Sequence, residues 1–482
     1  MHHYIWKSIV PGNERRDKSQ PTLKQKLILL APLLLVMLHA FGQVKSGSSK
    51  APSAARTVAV NANKIFSVMD YGAVGDGRTD DTKAFQDAIN ATKLAKGTLL
   101  IPSADVYYKI TNTLRIVPES GQNEVYMDIE AHGDPRFQVV YSGAEDRAVF
   151  YIKGLRFARI TGIKVRALPG IKNIQIFDLD TDNPSYSTTH ITFKDCHATL
   201  GDGINNVGWR MGHVSGGGAD ISNIQWENCS VWGNHGNVVS GQIGWLVEGA
   251  NTLQNTWIGG FGAYLDKLFS NVSRPGATGT GNGAVYFYGL GSSHNNLEYE
   301  INNSQSYVIS GGRYESGKRF MTVTNSNDAP SIMISGVEIN DYDPKDDVLF
   351  YVDRPCSIIL QNVNILKDKR PKAYNSSMIT CYGGGEGAGK GTLIVDGGSF
   401  EASDPFYRIN LNATEWNVFV RGVGRLNGQV RAEFMSTIST GKTTTSDNVD
   451  IYVSPNIYVS PNGTKYRITV NDSGSVISTR IP

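Results

Sequence analysis

Short apolar runs recur along this chain at a nearly fixed interval, and that repetition limits the fold more than any other feature. SYVISGGRYES (306–316), SIMISGVEIND (331–341), SIILQNVNILKD (357–368), TLIVDGGSFEA (392–402) and WNVFVRGVGRL (416–426) are separated by turn residues. Their centres, Ile309, Ile334, Leu360, Val395 and Val420, step by 25, 26, 35 and 25 residues. An earlier set, ARITGIKV, THITFKDCHA and SNIQWENCSV, has centres Ile160, Phe193 and Trp226 at steps of 33. A unit of this size cannot bury its own apolar face, so the units must stack. Alternate apolar positions then fill a narrow core, and Asn228 and Asn362 fall at matching corners where side-chain amides can ladder. The 52 glycines among 482 residues suit the many tight turns this requires. Residues 232–300 interrupt the rhythm and are expected to form long loops on the scaffold, where binding grooves are usually built.

Ahead of the repeats stands FSVMDYGAVGDGRTDDTKAFQDAINATKLAKG (66–97). Gly75-Asp76-Gly77 marks a turn, and Asp80 and Asp81 suit the positive end of a helix. Ala84, Phe85, Ala88 and Ile89 make one apolar stripe, and Gly97 is expected to take the left-handed stop. DYGAVGDGRTDDTKAFQDAI resembles the N-terminal signature of the pectate-lyase-like superfamily, which includes polygalacturonases (glycosyl hydrolase family 28-related proteins) and phage tailspike depolymerases. The resemblance implies an all-β chain, a single-stranded right-handed parallel β-helix over residues 64–446, with a capping helix at about 80–96. It also implies that Asp76, Asp80 and Asp81 are turn and cap residues. Two YVSPN copies and hairpin-like turns over 447–482 read as a C-terminal β cap.

Residues 1–43 read as a signal peptide behind a polar extension. Lys24 and Lys26 precede an apolar run, Leu27 to Leu38, with small residues Ala40 and Gly42 beyond. The run is too short to span a bilayer comfortably, so a secreted or periplasmic protein without stable membrane insertion is expected. An uncleaved anchor is the alternative, and 44–63 reads as a linker. Lys plus Arg is 46 against 44 for Asp plus Glu, a balance that argues against a nucleic-acid partner. The four cysteines show no metal-type spacing. Cys196 and Cys229, in the matched contexts FKDC and WENC, are open to either a disulfide or a stack of buried thiols. The oligomeric state is not legible.

Polygalacturonases use the motifs NTD, DD, GHG and RIK on neighbouring coils, and the resemblance therefore directs attention to three stretches. Asp178-Leu179-Asp180-Thr181-Asp182-Asn183 stands where NTD would be. Gly201-Asp202-Gly203 resembles DD with one acid missing, and Gly233-Asn234-His235-Gly236 resembles GHG. No RIK exists; Arg313 and Lys318 are the nearest cations. Glycoside hydrolysis needs one protonated carboxyl and one carboxylate, so Asp202 is expected to be the acid and Asp180 or Asp182 the base, with His235 in support. Arg210, His213, Trp232, Trp245, Arg313 and Glu315 are the substrate-binding candidates, the tryptophans because sugar rings stack on exposed aromatic faces. No cofactor is expected, although the Asp178–Asp182 run could offer oxygen ligands to Ca²⁺.

The expected function is hydrolysis of a polysaccharide, one that contains uronic acid. A uronate lyase on the same scaffold and a non-catalytic glycan-binding β-helix are the alternatives.

Overall fold

The computed structural model describes residues 64–133, 138–180, 186–212, 220–248, 252–272, 283–302, 306–324, 330–343 and 348–368. Beyond 368 it describes strands and short turns between 377 and 481. The leader and linker expected over 1–63 lie outside the described residues. No described helix is long and apolar enough to cross a membrane.

The chain winds as a right-handed parallel β-helix, in which each coil contributes one strand to each of three sheets. Sheets A, B and C hold 14, 13 and 12 strands. The centres picked out by periodicity stand in one register column of sheet A. It runs from Phe66 through Leu99, Ile129, Ile160, Phe193 and Trp226. It continues through Trp257, Phe287, Ile309, Ile334, Leu360 and Val395 to Val420. Leu99 through Val395 of this column are buried. Each such apolar side chain contributes roughly 1.5–3 kcal/mol before its ordering cost. Parallel register also sets like rings face to face, because rungs are only ~4.8 Å apart. Trp226 stacks on Trp257 at 4.3 Å between centroids, and Trp257 on Phe287 at 4.6 Å.

From the coil of Gly162 to that of Gly397, the corner between sheets A and B takes a left-handed backbone. Asp195, Asn228 and Asn362 adopt φ of 53°, 52° and 51°, and glycines fill many of the remaining corners. Asn and Asp tolerate this region best among residues with a Cβ. Asn228 Nδ2 donates to Asp195 Oδ1 at 2.6 Å, which gives the expected ladder one rung. Just past this corner, the Cys196 and Cys229 thiols are buried and unbridged, and each donates to a carbonyl of the preceding coil.

The helix Thr82–Ala95 covers the N-terminal end, and Ala84, Phe85, Ala88 and Ile89 are its buried stripe. Its flanking acids are structural, with roles that differ in detail from expectation. Asp80 Oδ1 accepts from the Thr82 N–H at 3.1 Å. Fully buried Asp81 instead turns back, accepting from the Val74 and Gly75 N–H groups at 2.7 and 3.2 Å. Lys96, not Gly97, takes the left-handed stop, with φ 52°. Gly97 is needed for a close approach, since a Cβ there would lie 2.2 Å from the Lys64 carbonyl oxygen.

The expectation of long loops across 232–300 is corrected. This stretch contains strands Ile243–Val247, Asn255–Ile258, Phe261–Ala263, Lys267–Val272, Ala284–Tyr288, Gly291–Ser293 and Leu297–Asn302, all in register. Outward Ile258 and Tyr288 are apolar and inward Gly262 has no side chain, so the alternation that marks other strands is blurred here.

At the C-terminal end the pairing reverses. Ser436–Ser439 runs antiparallel to Trp416–Arg421, and Val449–Val453 antiparallel to Tyr407–Asn412. A three-stranded antiparallel sheet follows, from Ile457–Val459, Lys465–Val470 and Val476–Ile481.

One polar cluster sits inside the core. Tyr342 and Asn295 donate to the two Glu298 oxygens at 2.6 and 2.9 Å, and the Tyr299 and Tyr314 hydroxyls meet at 2.6 Å. Burial pushes the Glu298 carboxyl from its ordinary 4.5 up to about 7, against the pull of the hydrogen bonds it accepts.

Candidate functional site

The outward face of sheet C gathers more buried charge than any other described surface of the coil. In Gln175–Asp180, Phe177 and Leu179 point to the core, so Asp178 and Asp180 point out. Both acids are nevertheless only 3% exposed. Arg210, the register partner of Asp178 on the next coil, grips it with two bonds, Nε to Oδ1 at 2.8 Å and an Nη to Oδ2 at 2.7 Å. Tyr151, on the preceding coil, donates to Asp180 Oδ2 at 2.6 Å. Arg115 lies 4.6 Å over the Tyr151 ring, and Lys153 lies 4.3 Å over that of Tyr186. Burial opposes the Arg210 charge, but Asp178, Glu248 and Asp180 outweigh it and hold the guanidinium above its ordinary range.

Glu248 follows strand Ile243–Val247 directly. Leu179, Met211 and Val247 are in register, so Asp180, Gly212 and Glu248 form the next column. The Gly212 N–H donates to the Leu179 carbonyl and the Glu248 N–H to that of Met211, which continues the ladder to these positions. Gly212, with φ +91°, contributes no side chain at the column position between the two acids. Further along the same face, Lys267 Nζ and Ser270 Oγ lie 2.6 and 2.5 Å from Glu300 Oε2. Beside them a cavity of about 260 Å³ is lined by Lys267, Lys318 and Arg319 together with Asp266, Asn296 and Leu297.

The structure does not bring Asp202 to Asp180. Asp202 lies in the turn before strand Val207–Met211, whereas Asp180 ends the equivalent strand one coil earlier. A strand of sheet C, roughly 13 Å or more, therefore separates them. Asp202 is exposed and its Oδ1 accepts the Gly170 N–H at 2.5 Å, the work of a turn residue. His235 stands on the same edge as Asp202, one coil on, with its ring 4.9 Å from Tyr264, which in turn stacks 4.9 Å from His294. Asp182 and His213 lie outside the described residues.

The binding candidates divide between faces. Trp245 is fully buried and stacks on Trp209 at 5.5 Å, so it is core and presents no ring to a sugar. Trp232 is 37% exposed, but on sheet B, between His197 and Phe261. Arg313 and Glu315 also belong to sheet B, where Arg313 pairs with Glu315 at 2.6 Å and with Glu338 at 3.0 Å. Arg210 is on sheet C but is committed to Asp178. The same commitment occupies both Asp178 oxygens, which leaves that acid unsuited to the Ca²⁺ reading. Among the described residues no group of His, Cys, Asp and Glu is placed to hold a metal. Sequence reasoning missed Tyr151 and Glu248. Counting outward positions from the IGWLV strand would have found Glu248.

Three parallel sheets wound coil by coil, with a helix over the first, define a right-handed parallel β-helix. Residues 65–134 match a family model described as rhamnogalacturonase A/epimerase, pectate lyase-like. No curated protein matches the chain in sequence. Among solved structures it is similar to an exopolygalacturonase of Thermotoga maritima, with 10% identity, 81% of this chain and 94% of that one covered, and a TM-score of 0.38. It is likewise similar to PfbA, a surface adhesin of Streptococcus pneumoniae, with 12% identity, coverage of 86% and 99%, and a TM-score of 0.42. The tailspike protein of Acinetobacter phage vB_ApiP_P1 gives 14%, 85%, 68% and 0.42 for the same four measures. None of these likenesses bears on what this chain does.

Proposed function

We propose that this chain is a secreted protein that hydrolyses glycosidic bonds of an acidic polysaccharide at the outer face of sheet C. The reading rests on the column Asp180, Gly212, Glu248. Two rung spacings put the acids' Cα atoms roughly 10 Å apart, and modest leaning of the side chains reaches the ~6.5–9.5 Å carboxyl separation used for inversion. Asp180, oriented by Tyr151, takes a proton from the attacking water. Glu248, only partly covered, delivers one to the leaving oxygen. The cations Lys267, Lys318 and Arg319 line a cavity at the opposite edge of sheet C, about a strand's length from the acids, where they suit a carboxylated chain long enough to cross the face. The match of residues 65–134 to a rhamnogalacturonase-type model accords with such a substrate.

The test is release of reducing ends from uronate polysaccharides by Asp180→Asn and Glu248→Gln. Each is expected to lose at least ~100-fold in rate, the low end for a general acid or base. Unchanged turnover in either variant removes the assignment, and ultraviolet-absorbing unsaturated products would mean elimination instead. The burial of Asp178 and Asp180 favours a second reading, glycan binding without cleavage. That reading predicts retention of glycan and no new reducing ends.

A further inference from the structure

The outward face of sheet A changes character along its length. Its early rungs carry charge: Lys194 and Glu227 pair at 2.6 Å across adjacent coils, in register with Thr161 beyond Arg159. From strand Asn255–Ile258 to strand Gly391–Asp396, six rungs in succession, the only charged residue within the described strands is Asp396 at the last corner. A protein surface of this extent normally holds several charges. The middle of the face is one column, Tyr286, Val308, Met333, Ile359 and Ile394, in unbroken register. Hydroxyls flank it on both sides. Ser306, Ser331 and Ser357 stand on one side, and Ser310 and Ser335 on the other, where Ser335 Oγ donates to Ser310 Oγ at 3.2 Å. The face is open: Tyr288 is 43% exposed and Met333 37%.

We propose that this face is a second docking surface, for one uncharged polysaccharide chain laid along the helix axis. An apolar column accepts the C–H face of successive sugar rings, and hydroxyl columns on either side meet the hydroxyls on the ring edges. The rung repeat of ~4.8 Å is close to the length of one hexose in an extended chain, so contacts can recur without drifting out of step. The lack of charge selects against a uronate chain, which gains nothing here and forfeits its counterions' solvation. A second copy of this protein fits less well. Six rungs by five residues cover roughly 400 Å², about half of the ~800 Å² that each partner contributes to a standard stable interface. The surface binds and does no chemistry, so it is independent of the acids on sheet C.

Co-sedimentation of the full chain with insoluble cellulose, mannan and chitin tests it. The wild type is expected to sediment with at least one of them, with retention unchanged when salt is raised to ~0.5 M, since no ion pair is screened. Met333→Glu and Ile359→Glu place a charge on an outward position and are expected to weaken retention by at least about tenfold, with melting temperature unaltered. Thr192→Glu, on the charged rungs of the same sheet, is expected to leave retention intact, and so is Asp180→Asn, whatever becomes of turnover. Retention on none of the three glycans overturns the proposal, as does retention that survives both Glu substitutions. Light scattering that shows an oligomer dissolved by Met333→Glu would assign the face to a second copy, and would also overturn it.

Discussion

Glu248 stands in the same outward column as Asp180, two coils further along, with Gly212 at the column position between them. Gly212→Ala is expected to do two things. It strains a backbone at φ +91°, at a cost of roughly 1–2 kcal/mol. It also adds a methyl group at the column position between the acids. Turnover should therefore fall by more than the loss of stability explains, measured as kcat/KM at a temperature where the variant is fully folded.

Asp202 gives the complementary outcome. Asp202→Asn is expected to leave turnover within about threefold of wild type, because its carboxylate serves the Gly170 turn on the other edge of sheet C. Asn keeps an oxygen that can accept the Gly170 N–H, so the cost in denaturant melts should be small, whereas Asp202→Ala removes the acceptor and should cost about 1 kcal/mol, the typical worth of one hydrogen bond.

Arg210→Met alone leaves the buried Asp178 charge without its bidentate partner and is expected to cost ~3–5 kcal/mol in chemical denaturation. Asp178→Leu together with Arg210→Met replaces both charges with apolar volume and should recover most of that loss. Failure of the double variant to recover would show that the pair does more than satisfy itself.

Stability should depend on Glu298 and pH. In the folded chain its carboxyl stays protonated up to about 7, whereas in the unfolded chain it ionises near 4.5. The folded state therefore holds the extra proton between these values. Stability falls as pH rises from about 4.5 and levels off above about 7, by on the order of 3 kcal/mol for this one group. Glu298→Gln should flatten that slope in melts taken across the window, while Glu298→Ala should lower stability at every pH by orphaning Tyr342 and Asn295.

Asp81→Ala removes the acceptor for two backbone N–H groups beneath the capping helix and is expected to cost roughly 3 kcal/mol. Hydrogen exchange should localise the loss to residues 74–97, with sheet rungs beyond the first coils protected as in the wild type.

The coil itself was legible because periodicity survives without knowledge of contacts. Ile160, Phe193 and Trp226, picked only by spacing, are register neighbours. The site was less legible, because a sequence interval of about one coil says two residues are one rung apart but not which edge of the sheet each occupies. Asp180 and Asp202 are 22 residues apart in the chain, but Asp180 closes its sheet C strand whereas Asp202 lies in the turn before the next one, Val207–Met211. Trp245 and Trp232 differ by parity, one facing in and one facing out, and glycines beside both obscure the alternation that would have told them apart. Glu248 belongs to no motif and is significant only through its column.

The reversal of direction at the C-terminal end has a consequence for how such a chain behaves in a crowd. A parallel stack is open-ended, since its last rung offers the same unmet N–H and C=O groups that its first rung accepted. Ser436–Ser439 and Val449–Val453 meet the outer rungs of sheets A and C running the opposite way, and so occupy those groups with a strand that cannot serve as the next coil. In sheets A and C another molecule would meet an antiparallel strand in place of a parallel rung, which disfavours growth by continued stacking of coils.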